Sequence, residues 1–493
     1  MTQRVTGGLD RAAGVLLAAA CGDALGAGYE FGPALPVGTP VTMMGGGGFG
    51  WDPGEWTDDT SMAVAIAEVA ADGMDLRRPE AQTLIARRWK GWARESKDVG
   101  MQTRAVLSAV GPDTTGAELT EAAAAHYQRQ PRSSAGNGSL MRTAPVALAY
   151  LHDPEGLDQA ARAVSALTHA DPDAQEACAL WCAAIVHAVH QATFDGLRLA
   201  VQALPADRAG VWAERLDEAE ANPPAHFTRN GWVVQALQAA WSAITHAPVP
   251  DDDPARGVFA AQHLQRALEV AVRGGGDTDT VAAIAGALLG ARWGASAVPA
   301  AWRRTLHGWP DLRGRDLVRL GVLAANDGRD DAEGWPSVPV FDYERYFWRG
   351  AHGTHPHDPG VRLGGVDALR TLPAGVDAVV SLCRLGADEV PADGVRPEDH
   401  LEVWLVDRED SNPHLDFLLH DTARAVERLR AEGRTVLIHC VQAQSRTPTV
   451  AAAYAVIAHG VHADEALSDV CDALPDAAPN EAFRVAIHRL SPG

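Results

Sequence analysis

Two short acidic runs have the residue types and spacing to hold a cation. One is Thr57-Asp58-Asp59-Thr60-Ser61 and the other is RGGGDTDT, Arg273 to Thr280. Asp277 and Asp279 are two apart, so inside a helix they would face different sides. Following three glycines, the spacing predicts an extended turn that opens a helix from Thr280, where both carboxylates converge. Glu30 in GDALGAGYEF and the Gly-rich loop SSAGNGSLMRTAP (133–145) complete a set of four segments at loop–helix junctions. Carboxylates gathered in a buried cleft repel, and a cation makes the arrangement tolerable. Oxygen donors from Asp, Glu and Thr, without His or Cys, select Mg²⁺, Mn²⁺ or Ca²⁺ over Zn²⁺. Each pair taken alone reads rather as a helix N-cap resting on the dipole. Two such clusters, with Asn137 in a Gly-rich loop, bring the metal reading level with the capping one.

A second chemistry lies near the other end. HCVQAQSRT (439–447) holds Cys440 and Arg446 as C-x5-R, between the apolar run TVLI and the helical run TVAAAYAVIA. A loop joining a strand end to a helix N-terminus turns backbone N–H groups inward and cradles an anion. A thiol placed there is a nucleophile at neutral pH. Arg446 can clamp two phosphate oxygens, and Thr447 can hydrogen-bond a leaving thiolate. A general acid is also needed. Asp407, closing LEVWLVD, is preferred over Asp410 in the loop behind it. Cys383 and Cys471 have no such surroundings, and Cys178 and Cys182 form an i,i+4 pair on an apolar helix that reads as core.

The elements that must position these residues fall into two regimes. From residue 9 to about 325, Ala-rich helical patterns alternate with Gly-rich loops. Ala13, Leu16, Leu17 and Ala20 share one helical face, with Asp10 as N-cap; Met62, Ala65, Ile66 and Val69, then Val281, Ile284, Ala285 and Leu288, repeat the pattern. No strand is expected before residue 370. NDGRDDAEGWP (326–336) is polar and reads as a flexible tether. Beyond it, GVDAVVSLC (375–383), LEVWLVD (401–407) and TVLIHC (435–440) read as strands alternating with helices, one of them at 414–432. That means a parallel or mixed sheet covered by helices. The chain therefore reads as multidomain: an all-α region over 1–325, a linker over 326–338 and an α/β region over 339–493.

Composition narrows the classes. The 493 residues are 46% hydrophobic and 22% charged, with a formal charge of −22. That balance makes a nucleic-acid partner unlikely, since such a partner needs a clustered cationic face. No run of 18 apolar residues is unbroken, so no membrane span is expected, and MTQRVTGGLD has no apolar segment of a secretion signal behind it. The six cysteines lack any paired spacing and fit a reducing cytoplasm.

The motifs GDALG followed by EF, TDDTSM, GNGSLMRTAP, SALTHAD and GGDTDTVAAIAGALLGA, in this order, resemble the ADP-ribosylglycohydrolase family. That resemblance covers about residues 1–325 and implies an all-α fold. It also implies two Mg²⁺ or Mn²⁺ ions held by Thr57, Asp58, Asp59, Asp277, Asp279 and Thr280, with Glu30 beside them as ligand or general acid/base and Asp59 in the catalytic set. Gly136, Asn137, Gly138, Ser139, Met141 and His169 would meet the substrate, the glycines letting backbone N–H groups approach a diphosphate. Cleavage at C1″ develops positive charge on the ribose, which a carboxylate stabilises. Partners implied are an ADP-ribosylated protein or a small ADP-ribose derivative.

The C-terminal motif, FWRGAH, GVDAVVSLC and the 33-residue lead of Asp407 over Cys440 resemble dual-specificity and tyrosine phosphatases over about 339–493. The implication is phosphomonoester hydrolysis of a phosphorylated substrate by Cys440, Arg446, Asp407 and Thr447, with no cofactor. The family loop usually reads HCxxGxxR, and here Ala443 replaces its Gly. If that position takes φ > 0, Ala costs about 1 kcal/mol. A non-catalytic phosphate-binding module is the alternative reading of this region.

Overall fold

The computed structural model describes residues 8–330, 338–343 and 351–491. Most of the expected linker (331–337) and most of FWRGAH (347–350) lie outside the described residues.

The N-terminal region is helical, as its patterns require. Its centre is a pair of helices, Gly8–Gly26 and Thr278–Trp293, that run antiparallel in contact from Gly14 against Gly290 to Gly26 against Asp279. Small residues let the two backbones touch: a Cβ on Gly22 would stand 2.2 Å from the Ala282 carbonyl oxygen, and one on Gly290 2.0 Å from that of Gly14. Every residue from Asp10 to Gly26 is buried, not just the expected face. The stretch Gly8–Tyr29 is long and apolar enough to cross a membrane, but 89% of its most apolar window is buried inside the protein, the pattern of a core helix. Asp10 is not its N-cap. It lies inside the first turn, and its carboxylate accepts hydrogen bonds from the Ser296 backbone N–H (3.0 Å) and hydroxyl. Helix Asp58–Ala71 packs alongside, with Trp89 Nε1 donating to the Met62 carbonyl (3.0 Å). Cys178 and Cys182 are core, as expected.

The C-terminal region holds a five-stranded sheet in the order 353–355, 358–364, 436–439, 378–381, 400–402. The first pair is antiparallel and the others are parallel, so the sheet is mixed. The three expected strands are present but shorter: Ala378–Ser381, His400–Glu402 and Val436–His439. Two were missed, Gly353–His355 and Asp358–Gly364, together with a two-residue ribbon at His307–Gly308 and Leu312–Arg313. In DPGVRLG the Asp-Pro-Gly start reads as a turn and hides the buried Val361 and Leu363 behind it. The helix expected at 414–432 runs Leu415–Ala431.

The two regions do not merely hang on a tether. Helix Ala300–Thr305 is wedged against the sheet edge. Arg303 donates to the Glu402 carbonyl (2.6 Å), and Arg304 to the Glu398 carbonyl (2.7 Å) and the carboxylates of Asp399 (2.7 Å) and Glu432 (2.6 Å). The Ala300 N–H donates to Asp421 (2.8 Å), and His414 Nε2 to the Trp293 carbonyl (2.9 Å). Phe259 packs its ring edge-on to Phe417, with centroids 5.7 Å apart.

Candidate functional site

The antiparallel helix pair brings acidic residues from distant parts of the chain to one place. Asp23 sits in the last turns of Gly8–Gly26, Asp58 and Asp59 open helix Asp58–Ala71, and Asp279 lies in the first turn of Thr278–Trp293. That last helix begins two residues earlier than the spacing predicts, with Asp277 at its N-cap position. Convergence survives the change, because Asp279 turns inward from the first turn while Asp277 approaches from the cap. One oxygen from each of Asp23, Asp59 and Asp279 lies within 4.8 Å of the others, and the same holds for Glu30, Asp277 and Asp279. Asp279 belongs to both triads. Thr57 Oγ1 reaches Asp59 Oδ2 (3.2 Å) and Asp279 Oδ2 (3.4 Å), and Thr280 Oγ1 reaches Asp59 Oδ2 (3.3 Å). Asp58 joins neither triad and is buried within the field of Asp98.

These carboxylates are crowded and dry. Burial, then the Asp277 charge, pushes Glu30 up to about 9; burial, then Asp98, pushes Asp58 up to about 8. Asp59 and Asp279 are held well above the usual carboxylate range by burial and by their acidic neighbours. Asp23 rises less, to about 6: burial raises it, but Thr57 N (2.9 Å), Thr60 N (3.0 Å) and Thr60 Oγ1 (2.6 Å) all donate to it. Among the described residues, Asp59 Oδ1 and Asp279 Oδ1 are buried without any hydrogen-bond partner. An orphaned oxygen on each of two adjacent buried carboxylates, in an all-oxygen donor set, fits hard divalent cations.

Three residues outside the expected site set, Asp23, Asn230 and Asp98, bear on this site. Asp23 ties the 57–60 segment to the first helix. Asn230 accepts the Asp277 N–H on Oδ1 (3.0 Å) and donates to the Gly275 carbonyl (2.9 Å). Asp98 is the largest acidic influence on Asp58. For Asp23 a signal was available: an Asp that follows a long apolar run in the last turn of its helix.

The Gly-rich loop borders the site through Asn137, whose Nδ2 donates to Asp277 (2.8 Å) and to the Asn230 carbonyl (3.0 Å). The Asn137 N–H is already spent on the Gly231 carbonyl (3.2 Å). Gly136 and Gly138 are closed off by the His169 imidazole, which added Cβ atoms would meet at 3.4 and 3.2 Å. His169 is buried and neutral, its pKa pushed well down by burial and then by Arg142, with Nδ1 2.7 Å from Thr168 Oγ1. Ser139 turns inward, accepting from Ser165 Oγ (3.0 Å). Met141 is buried against a small cavity that Asp59 and Thr60 also line.

Cys440 follows the central strand Val436–His439, and Arg446 opens helix Arg446–His459. The buried Ala443 between them takes φ +58°. Asp407 lies beyond the strand expected to end on it, since that strand stops at Glu402. Its Oδ1 accepts from Ser445 Oγ of the cysteine loop (2.7 Å) and from Asn480 (3.2 Å), and Arg446 Nε is 3.9 Å from its Oδ2. Asp410 is exposed. Arg446 Nη1 donates to the carbonyls of Leu382 (2.7 Å) and Leu405 (3.3 Å), and the Thr447 hydroxyl donates to that of Gly364 (3.2 Å). Behind Cys440 runs a directed chain. Ala392 N–H occupies His400 Nδ1 (3.0 Å), so His400 Nε2 donates to Ser381 Oγ (2.7 Å). Ser381 in turn donates to His439 Nε2 (2.6 Å), leaving His439 Nδ1–H for the Cys440 carbonyl (3.3 Å). Cys383, expected to be remote from this chemistry, lies within the field of Arg446 and Cys440, and burial pushes its thiol up to about 12.

The family model described as ADP-ribosylglycohydrolase matches residues 4–331, about two-thirds of the chain. The chain belongs to the ADP-ribosylglycohydrolase family. Among relatives, it is 32% identical over 303 residues to the ADP-ribosylarginine hydrolase Tri1 of Pseudomonas putida, covering 60% of this chain and 73% of that protein. A solved ADP-ribosylglycohydrolase-related protein complex superposes with a TM-score of 0.50 at 28% identity, covering 66% of this chain and all of the other. Separately, 81 residues are 33% identical to the dual specificity protein phosphatase 1 of Arabidopsis thaliana, 16% of this chain and 40% of that protein. The glycohydrolase match takes in the N-terminal helices through Gly314–Ala325, and both acidic triads fall inside it.

Proposed function

We propose that the N-terminal region hydrolyses the bond between C1″ of an ADP-ribosyl group and an arginine nitrogen on a modified protein. The observation that carries this reading is the pair of carboxylate triads sharing Asp279, with buried, unpartnered oxygens on Asp59 and Asp279. Thr57, Asp58, Asp59, Asp277, Asp279 and Thr280 would hold two Mg²⁺ or Mn²⁺ ions, which when bound supply ribose-hydroxyl anchoring and a water of lowered pKa. Glu30 stands at the edge of the second triad, half-buried, where it can hold a proton and pass it to the leaving nitrogen. The carboxylates stabilise the positive charge that develops on the ribose. The arginine acceptor is supported by the named activity of the Pseudomonas putida relative. The test is release of ADP-ribose from an arginine-modified peptide by the intact chain. We expect EDTA to stop it, Mg²⁺ or Mn²⁺ to restore it, and Asp279→Ala to reduce it by at least 10²-fold with the fold retained. Turnover by Asp279→Ala in chelator at the wild-type rate would overturn the reading.

A second activity is proposed for the C-terminal region, favoured by the hydrogen bond that seats Asp407 on the cysteine loop. The Cys440 thiolate attacks phosphorus, Asp407 gives a proton to the departing oxygen, and water then cleaves the phosphocysteine. Arg446 must leave the Leu382 and Leu405 carbonyls to clamp the phosphate. We expect Cys440→Ser to abolish release of phosphate from an aryl phosphate while ADP-ribose release continues. Absence of any wild-type turnover, with phosphate still bound, would make the region a phosphate-binding module instead. The free state of all six cysteines supports placing the protein in a reducing compartment.

A further inference from the structure

Phe31 follows Glu30 directly and is unlike any other aromatic residue near the acidic site. It takes φ +59°, a conformation that a bulky side chain adopts only under constraint. The constraint is a short ladder: Phe31 N–H donates to the Gly276 carbonyl (2.7 Å), Gly276 N–H to the Gly32 carbonyl (2.9 Å), and Gly32 N–H to the Tyr29 carbonyl (3.0 Å). The loop that fixes Phe31 is therefore the loop that delivers Asp277. The ring takes no part in the core. It is 71% exposed, while its neighbours Tyr29 and Leu35 pack inward. Strain that places an apolar ring in water brings no stability, so its use lies with a ligand.

The site's own layout says which part of the ligand. Asn137 and His169 are buried on the inner side of the site, away from solvent. The acceptor remains attached to a protein too large to enter, so it must lie on the solvent side of Glu30. That is where Phe31 stands.

We infer that Phe31 receives the acceptor side of the scissile bond and stacks on the guanidinium of a modified arginine. This rests on the arginine reading above. An aromatic face attracts a planar cation, and arginine stacks there more readily than lysine. The ring would thus hold the leaving nitrogen close to the Glu30 carboxyl, and would distinguish guanidinium-linked from hydroxyl-linked ADP-ribose.

The experiment uses the full chain and Phe31→Asn, because asparagine accepts a positive φ without the ring. Melting temperature should hold or rise. KM for an ADP-ribosylated arginine peptide should rise about three- to tenfold, the range of a partly exposed cation–π contact. Inhibition by free ADP-ribose, which lacks an acceptor, should be unchanged, and Phe31→Tyr should behave as wild type. Unchanged KM in Phe31→Asn overturns the inference, as does an equal weakening of ADP-ribose binding, which would put the ring on the nucleotide side. Wild-type protein that binds ADP-ribose but leaves the arginine peptide intact sinks the arginine reading, and this inference with it.

Discussion

At the cysteine loop, Ala443 adopts φ +58° where a glycine would be free of strain. It is fully buried, so its methyl group must also be accommodated by the loop around it. Ala443→Gly removes a left-handed penalty of about 1 kcal/mol, against a smaller gain in unfolded-chain entropy. We expect its urea midpoint to hold or rise slightly, and aryl phosphate turnover to rise. A clear loss of stability would mean that the methyl packs productively and outweighs the strain. The residue types and spacing of this loop made its strand–loop–helix setting and its departure at Ala443 legible, because C-x5-R between an apolar run and a helix is local. Asp23, Asp98 and Asn230 were not legible in the same way. Each is a single polar residue whose partners lie tens to hundreds of positions away, and the packing of the helices is what brings those partners to it.

Two helices, Asp58–Ala71 and Thr278–Trp293, start at the acidic site, so both present the positive end of the dipole to the carboxylates. This does not offset the burial, since Glu30 and Asp58 still rise to about 9 and 8. For an acid whose folded pKa exceeds its unfolded one, stability is complete below the unfolded value and is lost as pH climbs through the folded value. Metal-free protein should therefore lose stability between about pH 4 and pH 9. Mg²⁺ should raise its melting temperature more at pH 8.5 than at pH 6, releasing protons as it binds. Thermal melts at several pH values, with and without chelator, check this; a cation effect independent of pH would count against the site. Periodicity alone gave these helices and their order. The spacing puts the start of the last one two residues late, because three glycines disguise the turn that ends at Asp277. Strand 358–364 was hidden for a related reason, a turn-like tripeptide at its start.

Across the whole molecule, the expected tether is accompanied by a junction of ion pairs, carbonyl contacts and edge-on or tilted ring contacts. Phe259 is buried there against Phe417 and His420. Cutting it back to alanine should cost about 3–5 kcal/mol, the usual price of an emptied aromatic site. If the junction couples the two regions, calorimetry will show one transition that moves down as a unit, and both activities will fade at the same temperature. Two transitions, only the first displaced, would mean that the regions melt separately. The sequence could not announce this junction, since Arg303, Arg304 and Phe259 stand in ordinary helical and loop contexts.

The same wedge helix has a bearing on how the protein is made. Arg304 and its partner Glu432 are 128 positions apart, and the N-terminal residues are synthesised first. At cellular elongation rates the face around Arg303 and Phe259 waits roughly 6–25 s for the strand and helix that cover it. During that interval a nearly complete helical body leaves the ribosome with an aromatic ring and two guanidinium groups uncovered. A nascent chain stalled near residue 330 is then the species most prone to associate with its neighbours, and a chaperone has most to protect at that point.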